Sequence, residues 1–236
     1  MVKSKKNILH LKKRIDDELQ NFKRIEIIKP TFTLTSKSLG GSKPLLSIVD
    51  GAIRYEGADV ILEHIYLTVS AHDRVLIRGR NGAGKTSLVK AVMDDPSIIR
   101  SGEWHMPKQG RMGYLDQHYG TLDPQLSVLE NLRRVVPDIS EVEVRKVLST
   151  FLFKTNGEVS TRVRDLSGGE KARLLLAQIA VKTPPLLILD EVTNNIDLQT
   201  KRHVTEVLKA YPGALLIISH DEPFLEQLAL NKTYTL

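Results

Sequence analysis

Gly79–Arg80–Asn81–Gly82–Ala83–Gly84–Lys85–Thr86 fits the pattern G-x-x-x-x-G-K-[ST] and lies between a strand-like run, Arg74–Arg78, and a helix-like one, Ser87–Met93. That context predicts a phosphate site. Glycines at 79, 82 and 84 let the backbone curl and aim successive N–H groups at an anion, with the positive end of the following helix behind them. Lys85 then reaches the outer phosphates as a point charge, and the Thr86 hydroxyl is available to the Mg²⁺ that accompanies a nucleotide triphosphate. The bland alternative, a glycine-rich turn with an incidental lysine, leaves the flanking strand and helix unexplained.

The chain has 236 residues, of which 41% are hydrophobic, enough for one large domain with or without an appendage. It has no cysteine, which removes disulfides and thiolate metal sites. No uncharged apolar run approaches the ~18 residues of a membrane span, and the basic start (Lys3, Lys5, Lys6) precedes no signal-like segment. The expectation is a cytoplasmic protein without membrane insertion. The net charge of +6 is uneven: residues 1–43 hold 11 Lys/Arg against 4 Asp/Glu, and residues 44–236 hold 23 against 24. Such a basic segment reads either as a binding appendage for nucleic acid or an acidic surface, or as a solvated linker.

Within that segment, Ile8, Leu11, Ile15, Leu19, Phe22 and Ile25 recur at spacings of three and four, a narrow helical stripe that needs a partner helix. The stretch from Glu26 to Pro44 then reads as linker, which puts a domain boundary near Lys43: tail and linker over 1–43, globular body over 44–236. From Leu45 to Val69, apolar segments broken by Asp50–Gly51 and Glu56–Gly57 predict an antiparallel β layer. Tyr55 in this layer either stacks on a nucleotide base or packs on its own sheet. After the glycine loop, Gly102–His105 and Arg111–Leu115 are strand-like, with Gln117 at the exit of the second. Val128–Arg134 and Glu141–Leu152 are helical, the latter with Val144, Val147, Leu148 and Phe151 on one face, so a helical subdomain occupies about 120–180. It closes on Leu166–Ser167–Gly168–Gly169–Glu170, directly ahead of a helix over Lys171–Ala180. Ser167, Gly168 and Gly169 there present free N–H groups to an anion, or simply cap the helix.

Leu186–Leu187–Ile188–Leu189 is a continuous apolar run of the kind buried on both faces of a parallel sheet, and it delivers two adjacent carboxylates, Asp190 and Glu191. Ligands bind at such strand ends. Asp190 is placed to hold Mg²⁺ opposite Thr86, and Glu191 to polarise an attacking water. A second such strand, Ala214–Ile218, ends at Ser219–His220–Asp221, bringing His220 to the same edge as a donor to a γ-phosphate.

Tyr55, the glycine loop, Gln117, the LSGGE run at 166–170, the LLILDE run at 186–191, Asn195–Ile196–Asp197 and His220 together resemble an ATP-binding-cassette (ABC) ATPase domain over residues 45 to 236. LSGGE about eighty residues after the glycine loop is the specific member of the set. The resemblance implies an α/β fold: an ABC-type P-loop NTPase core with an antiparallel β layer and a helical subdomain. It also implies a site. Tyr55 would stack on adenine; Gly79, Asn81, Gly82, Gly84, Lys85 and Thr86 would cradle ATP; Thr86, Gln117 and Asp190 would surround Mg²⁺. Gln117 would sense the γ-phosphate, Glu191 would be the catalytic carboxylate, and His220 the γ-phosphate switch. Ser167, Gly168 and Gly169 would face an ATP held by an opposing cassette, supplied by a second copy or by a separate N-terminal cassette.

Thr193–Asn194–Asn195–Ile196–Asp197 and the ending Ser219–His220–Asp221–Glu222–Pro223–Phe224–Leu225 look like the ABC-F subfamily, although Val192 stands where that subfamily usually has proline. Those proteins carry two cassettes joined by a basic helical arm that contacts the ribosome and its tRNA, so this chain resembles the second cassette with the returning end of the arm. The implied function is an ATP-driven conformational switch in a ribosome-associated translation factor. The ATP-binding subunit of an ABC membrane transporter shares the motifs but rarely begins with forty basic residues. A rod-type chromosome ATPase is excluded because only 50 residues separate Gln117 from Ser167. A non-enzymatic remnant would not need the full catalytic set.

Overall fold

A computed structural model describes Phe32 and residues 43–236 apart from Gln109, Gln117 and Asn195. The helical stripe at 3–25, most of the linker, and the expectations for Gln117 and Asn195 lie outside the described residues. The described residues form two sheets. β1 (Leu46–Tyr55) is the middle strand of an antiparallel three-stranded sheet, between β2 (Val60–Val69) and β4 (Ile98–His105). The Glu56–Gly57 turn joins β1 to β2, as its residue types suggest. Asp50–Gly51, expected to be a turn as well, is instead a bulge inside β1: the pairing slips between Ile48 and Gly51, with Asp50 at a left-handed φ of 48°. Aspartate tolerates that conformation better than most side chains, so a turn-like dipeptide can sit inside a paired strand.

The second sheet is parallel, in the order β5-β6-β7-β3-β8, from β3 (Arg74–Arg78), β5 (Met112–Asp116), β6 (Leu186–Asp190), β7 (Ala214–Ile218) and β8 (Lys232–Thr235). β6 and β7 are buried along their whole length, as expected for strands covered on both faces. Their side chains alternate between two cores. Leu187, Leu189, Leu215 and Ile217 join the helical side, whereas Leu186, Ile188, Leu216 and Ile218 join the antiparallel layer. α1 (Lys85–Val92) lies in that second core, with Leu88, Val89 and Val92 buried.

On the other side, α2 (Val128–Val135), α3 (Glu141–Thr150), α4 (Asn156–Ser160) and α5 (Gly168–Lys182) pack together, and α6 (Leu198–Lys209) covers the sheet. α2 to α5 each start with a capping box, Ser127/Glu130, Ser140/Glu143, Thr155/Glu158 and Ser167/Glu170. In every one a hydroxyl and a carboxylate reciprocally satisfy backbone donors that the helix leaves free. Val144, Leu148 and Phe151 are buried on the predicted face of α3, which ends two residues early because Leu152 turns left-handed (φ 68°). α7 (Glu222–Leu225) follows β7. Phe32 packs edge-on against Tyr211, ring centroids 5.3 Å apart, just ahead of β7. Among the described residues no helix is long and apolar enough to cross a membrane. The structure is thus the mixed α/β architecture expected, a parallel core sheet with an antiparallel layer and a cluster of helices.

Candidate nucleotide site

The glycine loop leaves β3 and closes into the first turn of α1. Gly84, the N-cap residue, has a φ of 91°, a left-handed backbone that L side chains rarely adopt, which is why glycine is needed where the loop turns into the helix. Lys85 is buried, and its ammonium donates to the Gly79 and Arg80 carbonyls at 2.8 and 3.1 Å. The cation is therefore folded over its own loop, within the curl of backbone amides. Asn81, Gly82, Gly84, Lys85, Thr86, Asp190 and Glu191 line one cleft of about 400 Å³. Two elements far apart in sequence, the glycine loop and the exit of β6, are thus brought to one place by strands β3 and β6 with β7 between them.

Asp190 is 8% exposed. Burial pushes its carboxyl above the ordinary carboxylate range; hydrogen bonds from Tyr114 and Thr86 oppose that, and the neighbouring Asp116 carboxylate adds to it. Asp116 stands beside Asp190 in the parallel register, and the Tyr114 hydroxyl donates to Asp190 at 3.3 Å. Burial also raises the Tyr114 phenol, with Asp190 and Asp116 contributing, so it stays a donor. Glu191 leaves the strand at a left-handed φ of 52°, its N–H bonded to the Ile218 carbonyl at 2.9 Å. A non-glycine residue in this region is costly and is held by its surroundings. His220, at the exit of β7, places Nε2 3.5 Å from Glu191 Oε1, with its ring largely exposed.

Tyr55 does not line the cleft. Its hydroxyl lies 3.4 Å from Ser87 Oγ, and the Lys90 ammonium is 5.9 Å from its ring centroid, so it sits along α1. Ser167, Gly168 and Gly169 do not line it either: they form the start of α5, where the Ser167 hydroxyl donates to Glu170 at 2.6 Å and accepts from the Glu170 N–H at 3.3 Å. Gly169 is pressed against the start of α6. A Cβ there would stand 2.5 Å from Thr200 Oγ1 and 3.0 Å from Asp197 Oδ2. Asp197 in turn caps α6, accepting from the Thr200 N–H and hydroxyl at 2.9 and 2.7 Å.

Two residues near the carboxylates carry no expectation from the sequence. Tyr114 and Asp116 belong to the run that ends at Gln117, and a polar pair at the exit of an otherwise apolar strand was the available signal. The ion pair between Lys201 of α6 and Asp221 beside His220 had no local signal, since its partners come from separate elements.

The ABC transporter family model matches residues 62–194. The chain is 34% identical over 225 residues to probable ATP-binding protein YheS of Haemophilus influenzae, covering 90% of this chain and 35% of that protein. ATP-binding protein Uup of Buchnera aphidicola is 31% identical over 221 residues, covering 92% and 36%. Mouse ATP-binding cassette sub-family F member 3 is 33% identical over 186 residues, covering 78% and 26%. The chain spans about a third of the length of these curated relatives. With a family model over more than half of its residues and relatives of this kind, the chain belongs to the ABC transporter family, as a single ATP-binding cassette of the sub-family F type.

Proposed function

We propose that the chain binds and hydrolyses ATP as one cassette of an ABC-F-type switch. The observation that carries this is the meeting of Lys85, Thr86, Asp190 and Glu191 in one cleft, with His220 on Glu191. In phosphoryl transfer to water the protein mainly positions groups and offsets charge. The loop amides and the Lys85 ammonium bind the phosphates. Glu191 accepts a proton from the attacking water, and His220 donates to the γ-phosphate. Gln117 senses that phosphate, and Tyr55 stacks on adenine from beside α1.

The donor set fits Mg²⁺: a hydroxyl and a buried carboxylate, Thr86 and Asp190, line the same cleft and offer hard oxygen ligands. These two residues, with Gln117, would hold the ion, which when bound neutralises charge on the phosphates.

Ser167, Gly168 and Gly169 stand at a helix start away from this cleft, which supports the reading that they serve the ATP of an opposing cassette, in a homodimer or with an N-terminal cassette. Residues 1–43, with 11 Lys/Arg against 4 Asp/Glu, are the proposed contact to ribosomal RNA, and a cytoplasmic translation factor the proposed setting. A transporter subunit is disfavoured by the names of the relatives, which are ATP-binding proteins and a sub-family F member. The test is sedimentation of Glu191→Gln with and without ATP and Mg²⁺. A dimer that forms only with ATP supports self-pairing, a monomer with bound ATP points to a different cassette as partner, and no ATP binding overturns the reading.

A further inference from the structure

We propose that Lys201 and Asp221 are positioning residues for His220, an ion-paired clamp that ties the loop after β7 to the start of α6. The proposal rests on the reading of His220 as a γ-phosphate ligand. The His220 ring is 60% exposed and lies 3.5 Å from Glu191 Oε1, so most of its surface has no packing to fix where it points. Its place is set by the backbone of Ser219–His220–Asp221. That backbone is held chiefly from the residue next door. The Asp221 carboxylate accepts from the Phe224 N–H at 3.2 Å as the N-cap of α7, the Asp221 N–H donates to the Ser219 hydroxyl at 3.2 Å, and the Lys201 ammonium pairs with Asp221 Oδ2.

The first two of these bonds are local and move with the loop. Lys201 reaches in from another element as a full charge, and Thr193, just past the exit of β6, lies against the same carboxylate, so the loop is fixed relative to the body of the cassette. A second cross-link, Arg78 to Glu222 at 3.1 Å, has side chains 53% and 63% exposed and is screened by water, whereas those of Lys201 and Asp221 are 26% and 18% exposed. Burial pushes the Asp221 carboxyl up, but its bonds to Lys201 and Phe224 outweigh this and hold it below the ordinary carboxylate range, in agreement with a pair that is ionised and engaged.

Lys201 stands one turn from Asp197 and next to Thr200, the two residues against which Gly169 is pressed. The clamp therefore joins the loop carrying His220 to the helix that supports the LSGGE turn. Removing one partner of a shielded pair leaves the other uncompensated, and the loop is free to swing the imidazole away from Glu191. Displacement of a catalytic group by about 1 Å can cost on the order of a hundredfold in rate.

The test compares Lys201→Met and Lys201→Arg with the parent chain, reading the imidazole carbon-bound proton signal of His220, assigned with His220→Gln, alongside kcat and KM for ATP. Lys201→Met is expected to shift and broaden the His220 signal while those of His64 and His105 in the antiparallel layer stay put. Lys201→Arg should return it. Turnover should fall on the order of tenfold with KM changed by less than about twofold, the split that marks loss of a transition-state contact. An unchanged His220 signal in Lys201→Met overturns the clamp, and so does a change that arginine does not reverse. A shifted His220 signal in Lys201→Met upholds the clamp even where the parent chain binds ATP without turning it over, a result that points to an opposing cassette as the missing partner, whereas a parent chain that binds no ATP overturns the reading of the site and not the clamp.

Discussion

His220 Nε2 faces Glu191 Oε1 at 3.5 Å across the exits of two adjacent parallel strands, β7 and β6. In the proposed mechanism this pair brings a base and a donor to the same edge of the cleft. Glu191→Gln keeps the shape and removes the charge. It is expected to lower ATP turnover by at least about a hundredfold while leaving nucleotide affinity within a few-fold, measured by phosphate release and by titration with a fluorescent ATP analogue.

The Lys85 ammonium is held over the loop carbonyls, and Lys85 lines the cleft. Lys85→Met should abolish ATP binding in the same titration yet leave the melting temperature of the nucleotide-free chain little changed. Retained affinity would place the phosphate site elsewhere.

Gly169 has no room for a side chain. Gly169→Ala is expected to destabilise the fold by about 1–3 kcal/mol, because the new methyl meets Thr200 Oγ1 and Asp197 Oδ2 between α5 and α6. Adding Thr200→Ala should recover part of that loss in urea melts, a coupling that independent sites would not show.

Asp73 binds β8 to β3. Its carboxylate accepts from Lys232 at 2.7 Å and the Ser70 N–H at 2.6 Å, with Asn231 at 3.4 Å. Burial pushes the carboxyl up, but these donors outweigh it and hold it below its ordinary value of 3.8. A depressed carboxyl stabilises the fold above its unfolded pKa, and the contribution fades as pH falls through the lower folded value. Asp73→Asn should therefore cost on the order of 1–3 kcal/mol at pH 7, and the gap to the parent chain should narrow below pH 3.8, in urea melts at both pH values.

Much of this was legible because chemistry and fold shared a local signature. Glycine spacing between a strand and a helix, and an apolar run ending in Asp190 and Glu191, each mark both an element and its function. Asp50–Gly51 misled because a turn-forming dipeptide can also make a bulge when strands flank it on both sides, as β2 and β4 do here. β8 has no signature in the sequence because Lys-Thr-Tyr-Thr at a sheet edge is polar and short, and what defines it is its pairing to β3. Tyr114 and the Lys201–Asp221 pair depend on tertiary neighbours. Helix starts were the reverse case: Ser167 reads as a cap in the sequence and acts as one in the fold, leaving any service to a phosphate to experiment.

Phe32 meets Tyr211 at the end of β7 where the strand begins, and His220 stands where it finishes. Five strand residues at roughly 3.3 Å each put about 17 Å between those two ends. Phe32 is thus packed near the start of the strand whose other end leads to His220. The ring contact at Phe32 and the histidine beside Glu191 therefore share one five-residue strand as common footing, a short ruler with a fixture near each end.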